Sequence, residues 1–125
     1  GPAGAQGPPG ATGAAYKATA AGPAIAPNAA TTIDSIALPG GGSWVVTAKF
    51  VANNTGADAL NLTCRLLIDG VEKDTVATDF GAGTGAHMLT GAGGGSTASI
   101  ACTTDATAGS YSAISFTAIR VASIG

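Results

Sequence analysis

Apolar and polar side chains alternate along several short stretches of the chain, with the two-residue period that is typical of a β-strand with one buried face. In the clearest stretch, 44–52, Trp44, Val46 and Phe50 share one face and Lys49 lies on the other. Clusters of Gly, Asn and Asp separate the stretches, as turns do. Strands are therefore predicted over 32–38, 44–52, 60–68, 71–80, 96–104 and 110–124.

The pair Asp69-Gly70 joins two of these stretches. It indicates a tight hairpin, because a two-residue primed turn needs positive φ at its centre. Two glycine-rich runs, 81–85 and 91–95, are predicted to be flexible loops, since neither precedes the Lys-Ser/Thr pair or the helix of a phosphate-binding loop. No stretch carries a convincing helical period. The pattern predicts an all-β fold, an antiparallel sandwich of about seven or eight strands.

The first 15 residues follow a different rule, because glycine occupies every third position. Three polyproline-type chains wind around an axis where only a hydrogen side chain fits, and Pro2, Pro8 and Pro9 supply the fixed φ of such a chain. A disordered linker of the same composition has no reason to keep this register. The pattern predicts a short collagen triple helix within a homotrimer. The axial glycines are Gly1, Gly4, Gly7, Gly10 and Gly13.

The chain divides into three predicted parts: collagen-like triplets over 1–15, an Ala/Pro connector without a clean period over 16–30, and a β-sandwich head over 31–125. Fifteen residues span only about 45 Å at about 3.1 Å per residue. So few triplets would hardly hold three chains together. The head is therefore expected to supply the trimerisation.

The last predicted strand is apolar on both faces, although a strand of a sandwich with one solvated face should alternate cleanly. Ile114 and Phe116 lie on one face, and Thr117, Ile119 and Val121 lie on the other. The second set is the candidate trimer interface, covered by a neighbouring subunit. The alternative is that the Ala-rich connector folds back and covers the same face.

Composition narrows the choice of partners. Only 10% of the 125 residues are charged and the net charge is −2, so no basic face exists for nucleic acid or anionic lipid. The apolar runs are far shorter than the roughly 20 residues that a membrane-spanning helix needs, so no membrane insertion is expected. The sequence starts at Gly1 without a leader, which suggests an excerpt of a longer protein.

The triplets over 1–15, the early strand at 43–48, the hairpin at 66–71 and the terminal strand at 115–121 together resemble a known arrangement. It is the collagen-like stalk with a trimeric jelly-roll head of the complement and tumour-necrosis-factor-like superfamily, especially its actinobacterial and bacteriophage tail-fibre relatives. The resemblance implies a head that trimerises and nucleates the stalk. It also implies that exposed head loops bind a receptor or a glycan.

Cys64 and Cys102 each lie on the apolar face of a predicted strand, so both side chains should point into the core. A bond between them would close a loop of about 39 residues and constrain the unfolded chain by roughly 4 kcal/mol. An even cysteine count in a stalked extracellular protein favours this disulfide. Two buried thiols are the alternative, which would suit a fibre assembled in a reducing cytosol.

Residues that could carry chemistry are sparse. His87 has no Cys, Asp or Glu within three residues, and Asp69, Glu72 and Asp74 cannot gather the six to eight oxygens of a calcium site across one turn. No catalytic residue, metal ligand or cofactor site is therefore predicted. His87, Met88 and Leu89 form a candidate receptor-contacting loop, or else a short strand that docks its apolar side chains on the sandwich.

The sequence thus favours a non-enzymatic structural homotrimer, the C-terminal head of a collagen-like stalk. It is expected outside the cell, on a bacterial surface or a virion fibre. The alternative is a dedicated receptor- or glycan-binding head of a tail fibre or adhesin.

Overall fold

The structure, a computed structural model, describes residues 13–24, 30–40, 42–56, 60–81, 83–105 and 109–121. Within these ranges the chain forms eight strands and no helix. The strands are β1 (Ala14–Ala24), β2 (Thr31–Ala37), β3 (Ser43–Asn54), β4 (Leu60–Ile68), β5 (Val71–Phe80), β6 (Gly83–Gly94), β7 (Thr97–Thr104) and β8 (Ser110–Val121).

The strands pair in two antiparallel four-stranded sheets. Sheet I has the order β1-β8-β3-β6 and sheet II the order β2-β7-β4-β5. Apart from the β4–β5 hairpin, each strand is followed by one in the opposite sheet, which is the connectivity of a jelly-roll sandwich. The all-β prediction and the strand count are confirmed. Among the described residues no helix could cross a membrane.

The core lies between the two sheets and consists of the apolar positions that alternate along the strands. The apolar face of 44–52 is buried as predicted, and so is that of 62–68. The largest buried side chains come from both sheets. They are Trp44, Phe50, Tyr111, Phe116, Leu38, Leu62, Leu66, Ile68, Leu89, Ile100 and Ile114.

The hairpin at Asp69-Gly70 is confirmed, because both residues have positive φ, 49° and 81°. The Asp69 carboxylate also accepts hydrogen bonds from the backbone N–H groups of Ser96 and Thr97, each at 3.0 Å. These hydrogen bonds hold the pKa of Asp69 below its usual value. The side chain thus ties the β4–β5 turn to the turn between β6 and β7.

The prediction of flexible loops over 81–85 and 91–95 is wrong for most of both runs. Residues 83–94 form β6, which pairs with β3 along its whole length. Glycine is needed for space at position 91, where a Cβ would lie 2.6 Å from Lys73 Cβ. A Cβ on Gly93 would lie 2.7 Å from Lys73 Cε, at the flexible end of that side chain, which can move away. Close packing against β5 therefore selects glycine at position 91.

The connector expected over 16–30 also differs from the structure. Its first part belongs to β1, which pairs with β8 from Ala14 opposite Ile119 to Ala24 opposite Ser110. Ala-rich composition and Pro23 hide the pattern, because alanine does not distinguish a buried face from an exposed one. Sheet I therefore begins in the segment that the sequence assigns to the end of the triplets.

Side chains close both open sides of the sandwich. At the β1–β2 side, Lys17 donates to Asp34 at 2.7 Å and Thr19 donates to the other Asp34 oxygen at 2.7 Å. Burial raises the pKa of Asp34, but these hydrogen bonds outweigh it and lower the pKa overall. At the β5–β6 side, the Asp74 carboxylate accepts from the backbone N–H of Thr90 at 2.9 Å.

Candidate functional site

The outward-facing side chains of sheet I form rows that cross all of its strands. They are mostly small or apolar, and the one charged residue among them is Lys49. This outer face of sheet I consists of Ala14, Ile119, Val45 and Ala92; Tyr16, Thr117, Thr47 and Thr90; Ala18, Ser115, Lys49 and Met88; and Ala113, Val51 and Ala86.

Large apolar side chains are exposed on this face. Tyr16 is 71% exposed, Met88 61%, Ile119 54% and Val45 37%. Val45 and Ile119 are cross-strand partners, so they form a continuous apolar surface. Elsewhere among the described residues, Val71 is the one other large hydrophobic residue with comparable exposure. Exposed apolar surfaces that are large and contiguous are common at interaction sites, which makes this face the candidate site.

The candidate interface residues of β8 lie on or beside this face. Thr117 and Ile119 are exposed and Val121 is half-buried. The inward neighbours Phe116 and Ala118 are buried, which explains why both faces of the strand are apolar. The described part of the 16–30 segment pairs beside β8 and does not cover it, so the fold-back alternative fails there.

The chain enters this face at one corner. The Gly13 carbonyl accepts a hydrogen bond from the backbone N–H of Arg120 at 2.9 Å, which extends the β1–β8 pairing by one step. Gly13 therefore belongs to the sandwich in this structure, unlike the axial position expected for it. The other axial glycines, Gly1, Gly4, Gly7 and Gly10, lie outside the described residues.

Arg120 holds the same corner together. Its guanidinium lies 5.8 Å from the centroid of the Trp44 ring and donates to the Gly40 carbonyl at 3.0 Å. A Cβ on Gly42 would lie 2.8 Å from the Arg120 Nη2 atom, so the loop before β3 packs directly on the guanidinium. The end of β8 is thus fastened to the loop after β2 and to the start of β1.

The candidate receptor loop is wrong in its secondary structure, because His87, Met88 and Leu89 lie within β6. Leu89 is buried, as expected for the alternative of a docked strand, and Met88 points outward from sheet I. The His87 ring lies 5.4 Å from the Phe50 ring, centroid to centroid. Burial lowers the pKa of His87, so its neutral form is favoured in the fold.

Cys64 and Cys102 lie directly opposite each other on β4 and β7, with their Cα atoms 4.0 Å apart, and the structure joins them in a disulfide. Both side chains are buried, as predicted. The bond fastens the two central strands of sheet II to each other, on the side of the sheet that faces the core.

The acids around the hairpin are occupied by protein donors. Glu72 accepts from Arg65 at 2.9 Å, and Asp74 accepts from the backbone N–H groups of Thr75 and Thr90. Within the described ranges no cluster of three or more His, Cys, Asp or Glu side chains could hold a metal ion.

The sequence pattern identified Ile119 and Thr117 as candidate interface residues. It did not connect them with the other residues of the outer face of sheet I. Tyr16 and Ala18 alternate with Lys17 and Thr19, and this short period-two pattern was the available signal for β1. No comparable signal in the sequence places β1 beside β8. That pairing joins residues about a hundred positions apart, and only the tertiary structure shows it.

The chain matches no protein-family model, and no curated protein matches it in sequence. Solved structures resemble its fold. The VP2 protein in derived T=1 particles of infectious bursal disease virus is 15% identical over 89% of this chain and 32% of its own, with a TM-score of 0.54. Dimeric latent PorU from Porphyromonas gingivalis is 8% identical over 86% of this chain and 12% of its own, also with a TM-score of 0.54.

The C-terminal domain of EclA, a sugar-binding protein, is 19% identical over 94% of this chain and 83% of its own. Its TM-score of 0.37 is too low to carry an argument. This chain spans about a third of the VP2 chain and about an eighth of the PorU chain. At these identities the likeness shows the fold alone, an all-β jelly-roll-like domain.

Proposed function

We propose that this chain is the non-enzymatic, trimeric head of a collagen-like stalk protein. The outer face of sheet I is the observation that carries the proposal, because it is broad, nearly uncharged and exposes Tyr16, Val45, Met88 and Ile119. A solvated sheet face normally carries polar side chains. Contact with further copies of the chain would remove this apolar surface from water.

The position of Gly13 supports this arrangement. Gly13 is the last glycine of the triplets, and it lies at the corner of the outer face beside Arg120. A triple helix upstream brings three chains to one axis and therefore brings three copies of β1 close together. Sheet I, which contains β1, is then the sheet nearest the axis. Its apolar face meets a neighbour, and the three heads in turn hold the start of the stalk in register.

The disulfide and the charge support the proposed setting and partners. A bond between Cys64 and Cys102 suits an oxidising environment, such as a bacterial cell surface or the outside of a virion fibre. Lys49 is a lone cation on the outer face of sheet I, which does not suit phosphate or an anionic membrane. The partner that fits this face is a second and third copy of the chain.

The mass of the full chain in solution tests the proposal. We expect three times 11.8 kDa for the unmodified protein. Ile119→Lys places an unpaired charge in the interface, where burial is costly, and should reduce the mass to that of one chain. Ala77→Lys makes the same change on the exposed face of β5 in sheet II and should leave the trimer intact.

A single-chain mass for the unmodified protein contradicts the proposal. Equal loss of trimer in the Ile119→Lys and Ala77→Lys variants contradicts the assignment of the interface to sheet I. Circular dichroism of the same sample should show a small polyproline-type band that disappears on heating if the triplets are wound.

A dedicated receptor- or glycan-binding head is the second candidate, and one feature of the fold favours it. The strand ends Ala24, Asn54, Phe80 and Thr104 lie at the end of the sandwich opposite Gly13. Loops at one end of a sandwich are common binding positions. A glycan array probed with the full chain tests this candidate. If the Ile119→Lys variant still binds a glycan, the glycan site lies on a surface other than the trimer interface.

A further inference from the structure

Gly13 is the last glycine of the triplets and the first residue that the structure describes. Its carbonyl accepts a hydrogen bond from the backbone N–H of Arg120 at 2.9 Å, so the sandwich uses this group. The N–H of Gly13 has no hydrogen-bond partner among the described residues. One of its two backbone polar groups is therefore left for water or for another chain.

Nothing in the sandwich requires glycine at position 13. The residue is exposed, and its φ does not lie in the left-handed region that favours glycine. A Cβ on Gly13 would lie 3.6 Å from Arg120 Cβ and 4.0 Å from Trp44 Cη2, which are ordinary van der Waals distances. In extended backbone glycine is less favourable than alanine, because it loses more conformational freedom on folding. The head alone would thus accept alanine here.

Gly22, on the same strand, shows the contrast. A Cβ there would lie 2.7 Å from Ile114 Cδ1 and 3.0 Å from the Tyr111 carbonyl oxygen, and both residues are buried in β8. The close approach of β1 to β8 therefore accounts for glycine at position 22. No comparable contact accounts for glycine at position 13.

The triplet period does account for it. Only glycine fits at the axis of three wound chains, and position 13 continues the series of 1, 4, 7 and 10. Each wound chain has no internal hydrogen bonds, so a glycine N–H at the axis donates to a carbonyl of a neighbouring chain. The backbone groups of Gly13 match this division, because the head binds the carbonyl and leaves the N–H unused.

We propose that Gly13 belongs to the sandwich through its carbonyl and to the triple helix through its N–H. The threefold axis then passes beside the corner that Arg120 holds together. The inference rests on the proposed trimer and adds the position of its axis. The part of the outer face of sheet I nearest this axis is the cross-strand row of Ala14, Ile119 and Val45. Contact between copies begins at this row.

Four variants of the full chain test the assignment: Gly10→Ala, Gly13→Ala, Gly22→Ala and Gly81→Ala. Position 10 belongs to the triplets, 13 to the triplets and the head, and 22 to the head. Position 81 is the matched control, since a Cβ there meets nothing within 4 Å. Urea unfolding followed by the fluorescence of Trp44, the only tryptophan, reports on the head. Thermal loss of the polyproline-type circular dichroism band reports on the triplets.

Gly13→Ala should lower the melting temperature of the polyproline-type band, as Gly10→Ala should, because a methyl group does not fit at the axis. The urea midpoint of the Gly13→Ala head should be unchanged or slightly higher. Gly22→Ala should lower the urea midpoint, since its Cβ would press on β8. Gly81→Ala should change neither measurement.

The other results separate this inference from the proposed trimer. If Gly10→Ala lowers the melting temperature of the band and Gly13→Ala does not, the axial role of Gly13 is overturned and the trimeric head remains. A lower urea midpoint in Gly13→Ala would show that the sandwich itself requires glycine there, which also overturns the inference. A trimer without the band has no triple helix for Gly13 to join. A single-chain mass for the unmodified protein overturns both proposals.

Discussion

The two sheets both have apolar inner faces, but their outer faces are very different. The described aromatic side chains of the core all come from sheet I, and sheet II contributes aliphatic side chains and the disulfide. Outside, sheet I exposes Tyr16, Met88 and Ile119, whereas sheet II carries the Arg65–Glu72 ion pair and a row of Ser and Thr side chains. Both sheets follow the same period-two pattern. The outer face of sheet II is suited to contact with water, and the outer face of sheet I is suited to contact with another protein surface.

The sheets also differ in how their strands are fastened. The central strands of sheet II are joined covalently by Cys64 and Cys102. Sheet I contains no disulfide, since Cys64 and Cys102 are the two cysteines of the chain. In the proposed trimer, stability within one copy and contact between copies would therefore depend on separate sheets. Changes in one sheet should then leave the other function largely intact.

The largest expected effect on stability comes from the disulfide of sheet II. Replacing both cysteines, Cys64→Ala with Cys102→Ala, should lower the free energy of unfolding by about 4 kcal/mol, because the unfolded chain regains the entropy of an open loop. Urea unfolding at a fixed chain concentration measures this. The mass of the folded variant should remain that of the unmodified protein. A fall to one chain would show that the two sheets are not independent.

A smaller effect is expected where the two sheets meet, at β5 and β6. Gly91→Ala would place a Cβ 2.6 Å from Lys73 Cβ and 3.3 Å from Leu66 Cδ2, so β5 or β6 must shift. Overpacking of this kind costs about 1–3 kcal/mol. Gly81→Ala is the matched control, since a Cβ there meets nothing within 4 Å. Equal stability of the two variants in urea would contradict the close contact between the sheets.

The smallest expected effect concerns His87, the only histidine of the chain, which lies on β6 in sheet I. Burial lowers the pKa of His87 in the folded chain. Below about pH 6.5, His87 is therefore protonated more fully in the unfolded chain than in the folded chain. The free energy of unfolding should therefore fall as the pH drops from about 7 to about 5. His87→Gln should flatten this slope; an unchanged slope would assign it to other groups.

The sequence predicted the strands in which one face is clearly more apolar than the other. It missed β1 and β6, in which the two faces have similar hydrophobicity. In the 44–52 and 60–68 stretches one face is clearly more apolar than the other, and both were assigned correctly as strands. In β6 and in most of β1 alanine and glycine occupy both faces, so hydrophobicity carries little period. In β6, packing against the Lys73 Cβ requires glycine at position 91, which local sequence does not reveal.

The outer face of sheet I, the candidate interface, was visible from the sequence only in part, for a related reason. The doubly apolar pattern of β8 identified Ile119 and Thr117 from local sequence alone. Val45 and Met88 each lie in a neighbouring strand, and their membership of the same face follows from the register of β3 with β8 and β6. Register between distant strands depends on long-range pairing, so one strand's pattern cannot specify it.

The sequence by itself determined the all-β class, the Asp69-Gly70 hairpin and the burial of both cysteines, because alternation and turn chemistry act over a few neighbouring residues. Only the tertiary structure decided that β1 and β6 are strands, that Cys64 lies opposite Cys102, and that Tyr16 and Met88 share a surface with Ile119. These features depend on which strands are neighbours. Strand order arises from burying both inner faces in one core, which is a property of the whole chain.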